Sequence, residues 1–486
     1  MSNSRLIADI RALQESSKVL DPDNESRKVS GNEVINYAND FLGKIDERTT
    51  FIQSGYDDTA LSDTDFSKGH DVSDVLQLLK DHMEAPGINT AHGGHLGYIP
   101  GGGLYAAALG DYIADITNKY AGVFYASPGA VRIENALIEW TGKLVGYEQG
   151  FGGNLTSGGS IANLVAITTA RDAKQVKAKD FHRLVIYTTP QAHHCIDKAI
   201  IIAGLRESIV WRVAMDGNYR MDVAALEQLI TEDLEEGNIP FMVIANAGST
   251  DVGAIDPLQQ ISEVAKKYDM WMHVDGAYGG YFMLLDEYKQ KMKGIEQADS
   301  VVLDPHKGMF LPYGTGIVLV KQLHHLQNAF RYEASYMQDT VGVAAGISPA
   351  DVSPELSKHF RGMRMWLPLK LYGEQAFKDC LQEKILLTQY FCEEIQKLGF
   401  ELVCQPELSV AAYRFVPKEG DANEFNKRLL EMMHADGDIF ISSTNLGGMY
   451  VLRFACLSFR THIEHVDRLL QMFKRALKEM GVTTQK

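Results

Sequence analysis

The spacing of apolar positions changes character twice along the chain. In residues 1–90, Leu6, Ile7, Ile10 and Leu13 fall at helical spacing, and polar Asp-rich segments such as DPDNES and SGYDDTALSDTD separate the amphipathic stretches. Such helices carry one apolar face each and need a surface to bury it against. The segment is too polar to build a core of its own, so it is expected to pack on another lobe or another subunit.

From residue 91 to 375 the pattern becomes short, unbroken runs of β-branched and aliphatic residues. They are RLVIYTT (183–189), FMVIANA (241–247), MWMHVD (270–275), SVVLD (300–304) and GIVLVK (316–321). Helical stretches such as SIANLVAITTARDAK and DPLQQISEVAKKY lie between them. Continuous apolar strands alternating with helices predict an α/β domain with a mainly parallel central sheet, covered by helices on both faces. Residues 376–486 open with a helix, pass through strand-like ELVCQPELSVAAYRFVP and YVLRFACLS, and close on the amphipathic HIEHVDRLLQMFKRALKEM. That pattern predicts a small C-terminal α/β domain. A chain of 486 residues is too long for one hydrophobic core, which agrees with such a division.

Composition removes several classes of function. The net charge of −16 argues against non-specific nucleic-acid binding, which needs a basic face. Five scattered cysteines with no C-x-x-C pair predict neither a disulfide framework nor a metal site. The N-terminus lacks the apolar core of a signal peptide, and no run is long enough to span a bilayer. The expected location is cytoplasmic, with no membrane partner.

The chemistry lies at the strand ends. In open α/β sheets, ligands sit beyond the carboxyl ends of the strands. Lys307, in Asp304-Pro305-His306-Lys307, follows SVVLD and precedes the apolar, glycine-rich GMFLPYGTG. A desolvated lysine there is expected to lose pKa and act as an amine nucleophile. Asp275 ends MWMHVD and needs a partner if buried; a protonated pyridine nitrogen is one such partner, a helix cap or salt bridge another. Gly276 and Ala277 are small enough to admit a flat ring. In TSGGSIANL, Gly158, Gly159 and Ser160 precede a helix, with Ser160 suited to its N-cap, and free N–H groups there would suit a phosphate. His193, after RLVIYTT, is placed to stack on a ring, although His194 is its neighbour. Asn246 and Ser249 close another strand at the same edge. Four successive strand ends thus offer phosphate donors, a stacking imidazole, an acid and a lysine, in that chain order.

This ordered set resembles the group II pyridoxal-phosphate-dependent decarboxylases, which act on aromatic amino acids, histidine, glutamate and cysteine sulfinate. The similarity runs from about residue 90 to 470, through GHLGYIP, ASPGAVRIENALIEW, TSGGSIANL, QAHHCIDKA, IPFMVIANAGST, WMHVDGAYGG, DPHKG, FRGMRMWLPLKLYG and VLRFACLSFRT. The resemblance implies the fold type I architecture and a homodimer with active sites at the subunit interface. Residues 1–90 would wrap the partner subunit. It implies pyridoxal 5'-phosphate held as a Schiff base on Lys307, with Asp275 on the pyridine nitrogen. His193 would stack on one ring face and Ala277 on the other. Gly159 and Ser160 would bind the phosphate with His306 nearby, and Asn246 stands where several members carry threonine. Tyr98 matches an aromatic of the substrate pocket, and Tyr336 the tyrosine of a catalytic loop that returns a proton to the α-carbon. Familiar members have Trp after the lysine; this chain has Gly308, which indicates a bacterial-type branch.

The expected reaction is decarboxylation of an L-amino acid to its amine and carbon dioxide, with an aromatic amino acid favoured by Trp366, Tyr98 and GMFLPY. An acidic substrate, received by Arg361 or Arg364, is the alternative. A fold type I lyase or aminotransferase would share the lysine and the aspartate, and a non-catalytic cofactor-binding protein is the reading from another class.

Overall fold

The computed structural model describes residues 3–99, 101–331 and 347–482. The chain divides into two compact units, Met1–His92 and Gly93–Lys486. The first holds helices Asn3–Ser16, Asn24–Gly43 and Val72–His82 and a two-stranded antiparallel ribbon of β1 (Phe51–Ile52) and β2 (Gly87–Ile88). The Asp23 carboxylate starts the second helix by accepting from the Ser26 N–H at 2.8 Å. None of the three helices buries a residue, and Leu6, Ile7, Ile10 and Leu13 all stay exposed.

The second unit is built on a seven-stranded sheet. In chain order the strands are β3 (Gly152–Thr156), β4 (Leu184–Thr188), β5 (Ile209–Arg212), β6 (Ile239–Asn246), β7 (Trp271–Asp275), β8 (Ser300–Leu303) and β9 (Gly316–Val320). Across the sheet they run β3-β9-β8-β7-β6-β4-β5. Strand β9 is antiparallel to both β3 and β8, and the remaining pairs are parallel. Every strand except β9 therefore ends at one edge. The strand ends that carry the expected chemistry are not successive, because β5 and β6 intervene.

Alternation along each strand sorts two cores. Leu184, Ile186, Met242, Ile244, Trp271, Val302 and Val318 meet the helices Gly159–Ala173, Cys195–Ile202 and Leu323–Phe330. Val185, Tyr187, Val243, Met272, Val274, Val301 and Ile317 meet the opposite layer, which includes Val223–Glu235 and Leu258–Lys267. Strands buried on both faces have to be apolar throughout, which is why they read as unbroken runs.

The long helix Gly362–Lys397 breaks at Gly373, where φ is 69°, a left-handed value that costs glycine little. Beyond it, β10 (Phe400–Leu402), β11 (Val410–Phe415), β12 (Ser442–Leu446) and β13 (Met449–Ala455) form an antiparallel sheet in the order β10-β11-β13-β12. It shares a core with Ala422–Asp436 and Ile463–Glu479. Among the described residues no helix is long and apolar enough to cross a membrane.

Candidate active site

A cavity of about 370 Å³ opens where β3, β4, β6, β7 and β8 end, and Lys307, Asp275, His193, Asn246, Ala277, Gly159, Ser160 and His306 all line it. Lys307 sits on the single turn Pro305–Gly308, started by Pro305 at a position where a missing N–H costs nothing. Its Nζ lies 3.1 Å from Asp304 Oδ2. Burial pulls the Lys307 amine downward, but the Asp304 and Asp275 carboxylates outweigh it and leave the amine above its ordinary value. The expectation of a lysine depressed by desolvation is corrected here. The amine rests as an ammonium paired with Asp304. Asp304 Oδ1 is buried with no hydrogen-bond partner, so the pair is incompletely satisfied.

Asp275 closes β7, in register with Asn246 of β6 and Val302 of β8. Its Oδ1 accepts from the Ala277 N–H at 3.0 Å, and its Oδ2 accepts from Asn163 Nδ2 at 3.2 Å. No cation of the chain pairs with it at salt-bridge distance among the described residues, which leaves its charge for an occupant of the cavity. His193 lines the cavity while His194 is exposed, so position now separates the two. His193 Nδ1 accepts from the Cys195 N–H at 3.3 Å, which places the ring hydrogen on Nε2. Burial, with His194 and Lys307 nearby, lowers its pKa and keeps the imidazole neutral.

The glycine turn before the helix differs in one detail from expectation. The helix begins at Gly159, with Gly158 as its N-cap, so Ser160 is a residue of the first turn and not the cap. Gly158 has φ 147°, open to glycine, and a Cβ at Gly159 would stand 2.8 Å from Asp304 Oδ2. The Ile161 and Ala162 N–H groups both bond the Gly158 carbonyl, which leaves those of Gly159 and Ser160 for an anion. His306 donates from Nδ1 to the Thr315 carbonyl at 2.6 Å, and burial lowers its pKa. Asn246 turns its amide nitrogen away to Asp256 Oδ2 at 3.1 Å. Ser249 Oγ accepts from the Ala254 N–H at 3.1 Å and does not line the cavity; Gly248 and Thr250 do.

Besides Ser249, four expected residues, Trp366, Arg361, Arg364 and Tyr98, are not brought to this cavity, and Trp366 instead packs against the hydrophobic core. Arg361 is held in a bidentate pair with Glu355 at 3.1 Å on each arm. Arg364 bonds Asp111 at 2.8 Å and the Tyr313 carbonyl at 2.9 Å. Tyr98 is 56% exposed, with φ 54°, and its ring packs 5.7 Å from that of Phe440. Tyr336 lies outside the described residues. Conversely, Asn163, Thr250, Tyr278 and Tyr313 line the cavity without having been singled out. An Asn at helical spacing with Ala166, Ile167 and Ala170, on the apolar face of the helix Gly159–Ala173, was the available signal for Asn163, since a polar residue buried there must find polar partners.

An ammonium, an anchored carboxylate and open N–H groups around one cavity fit an anionic, flat, aldehyde-bearing cofactor. The comparisons with known proteins agree. A family model described as the pyridoxal-dependent decarboxylase conserved domain matches residues 57–416. An aromatic-L-amino-acid decarboxylase of Bacillus atrophaeus is 31% identical over 421 residues, covering 85% of this chain and 87% of that protein. Tyrosine decarboxylase 2 of Arabidopsis thaliana is 29% identical over 480 residues, covering 93% and 87%. The crystal structure of Oryza sativa TDC with PLP and tryptamine superposes with a TM-score of 0.89 at 23% identity, over 95% of this chain and 99% of that one. That of mouse CSAD gives 0.84 at 24% identity, over 94% and 99%. The architecture is fold type I, and the chain belongs to the pyridoxal-dependent amino-acid decarboxylases, with pyridoxal phosphate as cofactor.

Proposed function

We propose that this enzyme decarboxylates an aromatic L-amino acid and works as a homodimer. The observation that carries the substrate class is that no arginine lines the cavity among the described residues, whereas Tyr278 and Tyr313 do. A side-chain carboxylate would arrive unpaired, and Arg361 and Arg364 would have to abandon Glu355 and Asp111 to receive it. The matched relatives named for aromatic amino acids and tyrosine support the same reading.

Lys307 would hold the cofactor covalently and Asp275 its ring nitrogen, with His193 and Ala277 beside the ring. The Gly159 and Ser160 N–H groups and the positive helix end would hold the phosphate, a helix-end contribution of about 0.3–2 kcal/mol. When bound, the cofactor supplies an electron sink for the bond broken at the α-carbon. The protein's part is to orient the substrate, exclude water and keep the Asp275 charge in place. Tyr336 is the proposed donor of the proton that replaces the carboxylate.

A panel of L-amino acids assayed for carbon dioxide release tests the substrate class. Tyrosine, tryptophan or phenylalanine should exceed glutamate and aspartate in kcat/KM by at least about a hundredfold, as expected when a charge lacks a partner. Preference for an acidic substrate would overturn it.

The dimer rests on a stripe of the helix Tyr105–Thr117, where Tyr105, Leu109, Tyr112, Ile113 and Ile116 recur at helical spacing and all stay exposed. The opposite side of that helix, Ala106, Ala107, Gly110 and Ala114, is buried. An outward apolar stripe of this kind fits a second copy of the chain. Sedimentation should give twice the chain mass, and Ile116→Glu should shift the equilibrium toward monomer. A wild-type monomer with full activity would contradict the dimer.

A further inference from the structure

Strand β7 presents Trp271, His273 and Asp275 on one face, two residues apart, under the helix that carries Asn163. Their polar atoms form one chain. Trp271 Nε1 donates to Ser300 Oγ at 2.9 Å, and Ser300 Oγ lies 2.8 Å from His273 Nδ1, the cross-strand register partner of Ser300 being His273. His273 Nε2 lies 2.7 Å from Asn163 Oδ1, and Asn163 Nδ2 donates to Asp275 Oδ2 at 3.2 Å.

The carboxylate sets the direction of the bonds. Asp275 only accepts, so Asn163 aims its NH2 at it, and the second amide hydrogen reaches Cys195 Sγ at 3.5 Å. Asn163 Oδ1 therefore faces His273 Nε2, which carries the ring hydrogen and donates it. In the neutral ring Nδ1 is left to accept from the Ser300 hydroxyl, whose oxygen accepts from the Trp271 N–H. A flipped amide would set its oxygen against the carboxylate. His273 and Ser300 are fully buried, so no water replaces either. Burial lowers the His273 pKa to about 4, consistent with a neutral ring.

We propose that His273 is a positioning residue. Through Asn163 it fixes the orientation and the charge of Asp275, and thereby the hold of that carboxylate on the cofactor's ring nitrogen. This deepens the functional reading above and rests on it.

The test separates an effect at the ring nitrogen from a general loss of structure. Cofactor-free wild type, His273→Phe and His273→Gln are titrated with pyridoxal phosphate and with its carba analogue, in which the ring nitrogen is replaced by C–H. Binding is followed by quenching of tryptophan fluorescence. Phenylalanine cannot donate to Asn163, so pyridoxal phosphate should bind about tenfold or more weakly, the scale of one hydrogen bond to a charged group. The carba analogue, which offers Asp275 nothing, should bind both proteins within about twofold. Gln, which retains an N–H donor, should restore much of the loss. Equal weakening of both ligands, or no weakening of either, would overturn the proposal. Should His273→Phe fail to fold, Ser300→Ala carries the same comparison one bond further back. The cofactor reading is checked apart: reduction of wild-type holoenzyme should fix the cofactor on Lys307 whatever His273 does, so its failure is not mistaken for failure of the relay.

Discussion

Lys307→Ala enzyme is expected to release carbon dioxide at background rate, and to lose the visible absorption of covalently held cofactor. The reason is the position of the amine, on a one-turn helix at the end of β8, inside the cavity and 3.1 Å from Asp304. No other lysine lines that cavity among the described residues. Alanine removes both the proposed covalent anchor and the ammonium that pairs with Asp304. Alanine fits a helical turn but leaves the buried Asp304 carboxylate without its ion partner, a loss of about 3–5 kcal/mol, so the variant's fold is checked by circular dichroism before activity is read. Activity and absorption retained by a folded Lys307→Ala protein would refute the assignment.

Asp275→Asn should cost about a thousandfold or more in kcat, equivalent to about 4 kcal/mol of transition-state stabilisation. Asparagine keeps the shape and one oxygen for the Ala277 N–H, so the strand end stays in place. It removes the charge that would hold a protonated ring nitrogen, and with it the electron demand of the ring. It also sets a second amide against Asn163 Nδ2, which presently donates to Asp275 Oδ2. Urea unfolding should change by no more than about 3 kcal/mol, the cost of one unsatisfied buried group. Near-normal turnover would mean that the carboxylate serves structure alone.

Much of this site was legible because buried strands in a covered sheet must be apolar throughout. The runs that became β4, β6, β7, β8 and β9 stand out for that reason, and the residues just past them define the active edge. Other strands escaped notice for physical reasons as well. Strand β3 is Gly-Gly-Asn-Leu-Thr, poor in β-formers, and β5 is a four-residue edge strand with its end exposed. The reversed direction of β9 depends on a turn and leaves no mark on hydrophobic period. His273 hid inside a buried strand, where a lone polar residue between Met272 and Val274 gives no hint of Asn163 on a distant helix. Arg361 looked available because its pairing with Glu355 depends on the path of the loop before the helix. The raised pKa of Lys307 was missed because burial was weighed without Asp304 and Asp275 beside it.

Reduction of the holoenzyme with borohydride, followed by proteolysis and mass spectrometry, bears most directly on the central claim. A phosphopyridoxyl group on Lys307, and on no other lysine, is the predicted result. An active enzyme that carries the group on a different lysine, or yields no adduct while Lys307 is recovered unmodified, would contradict it.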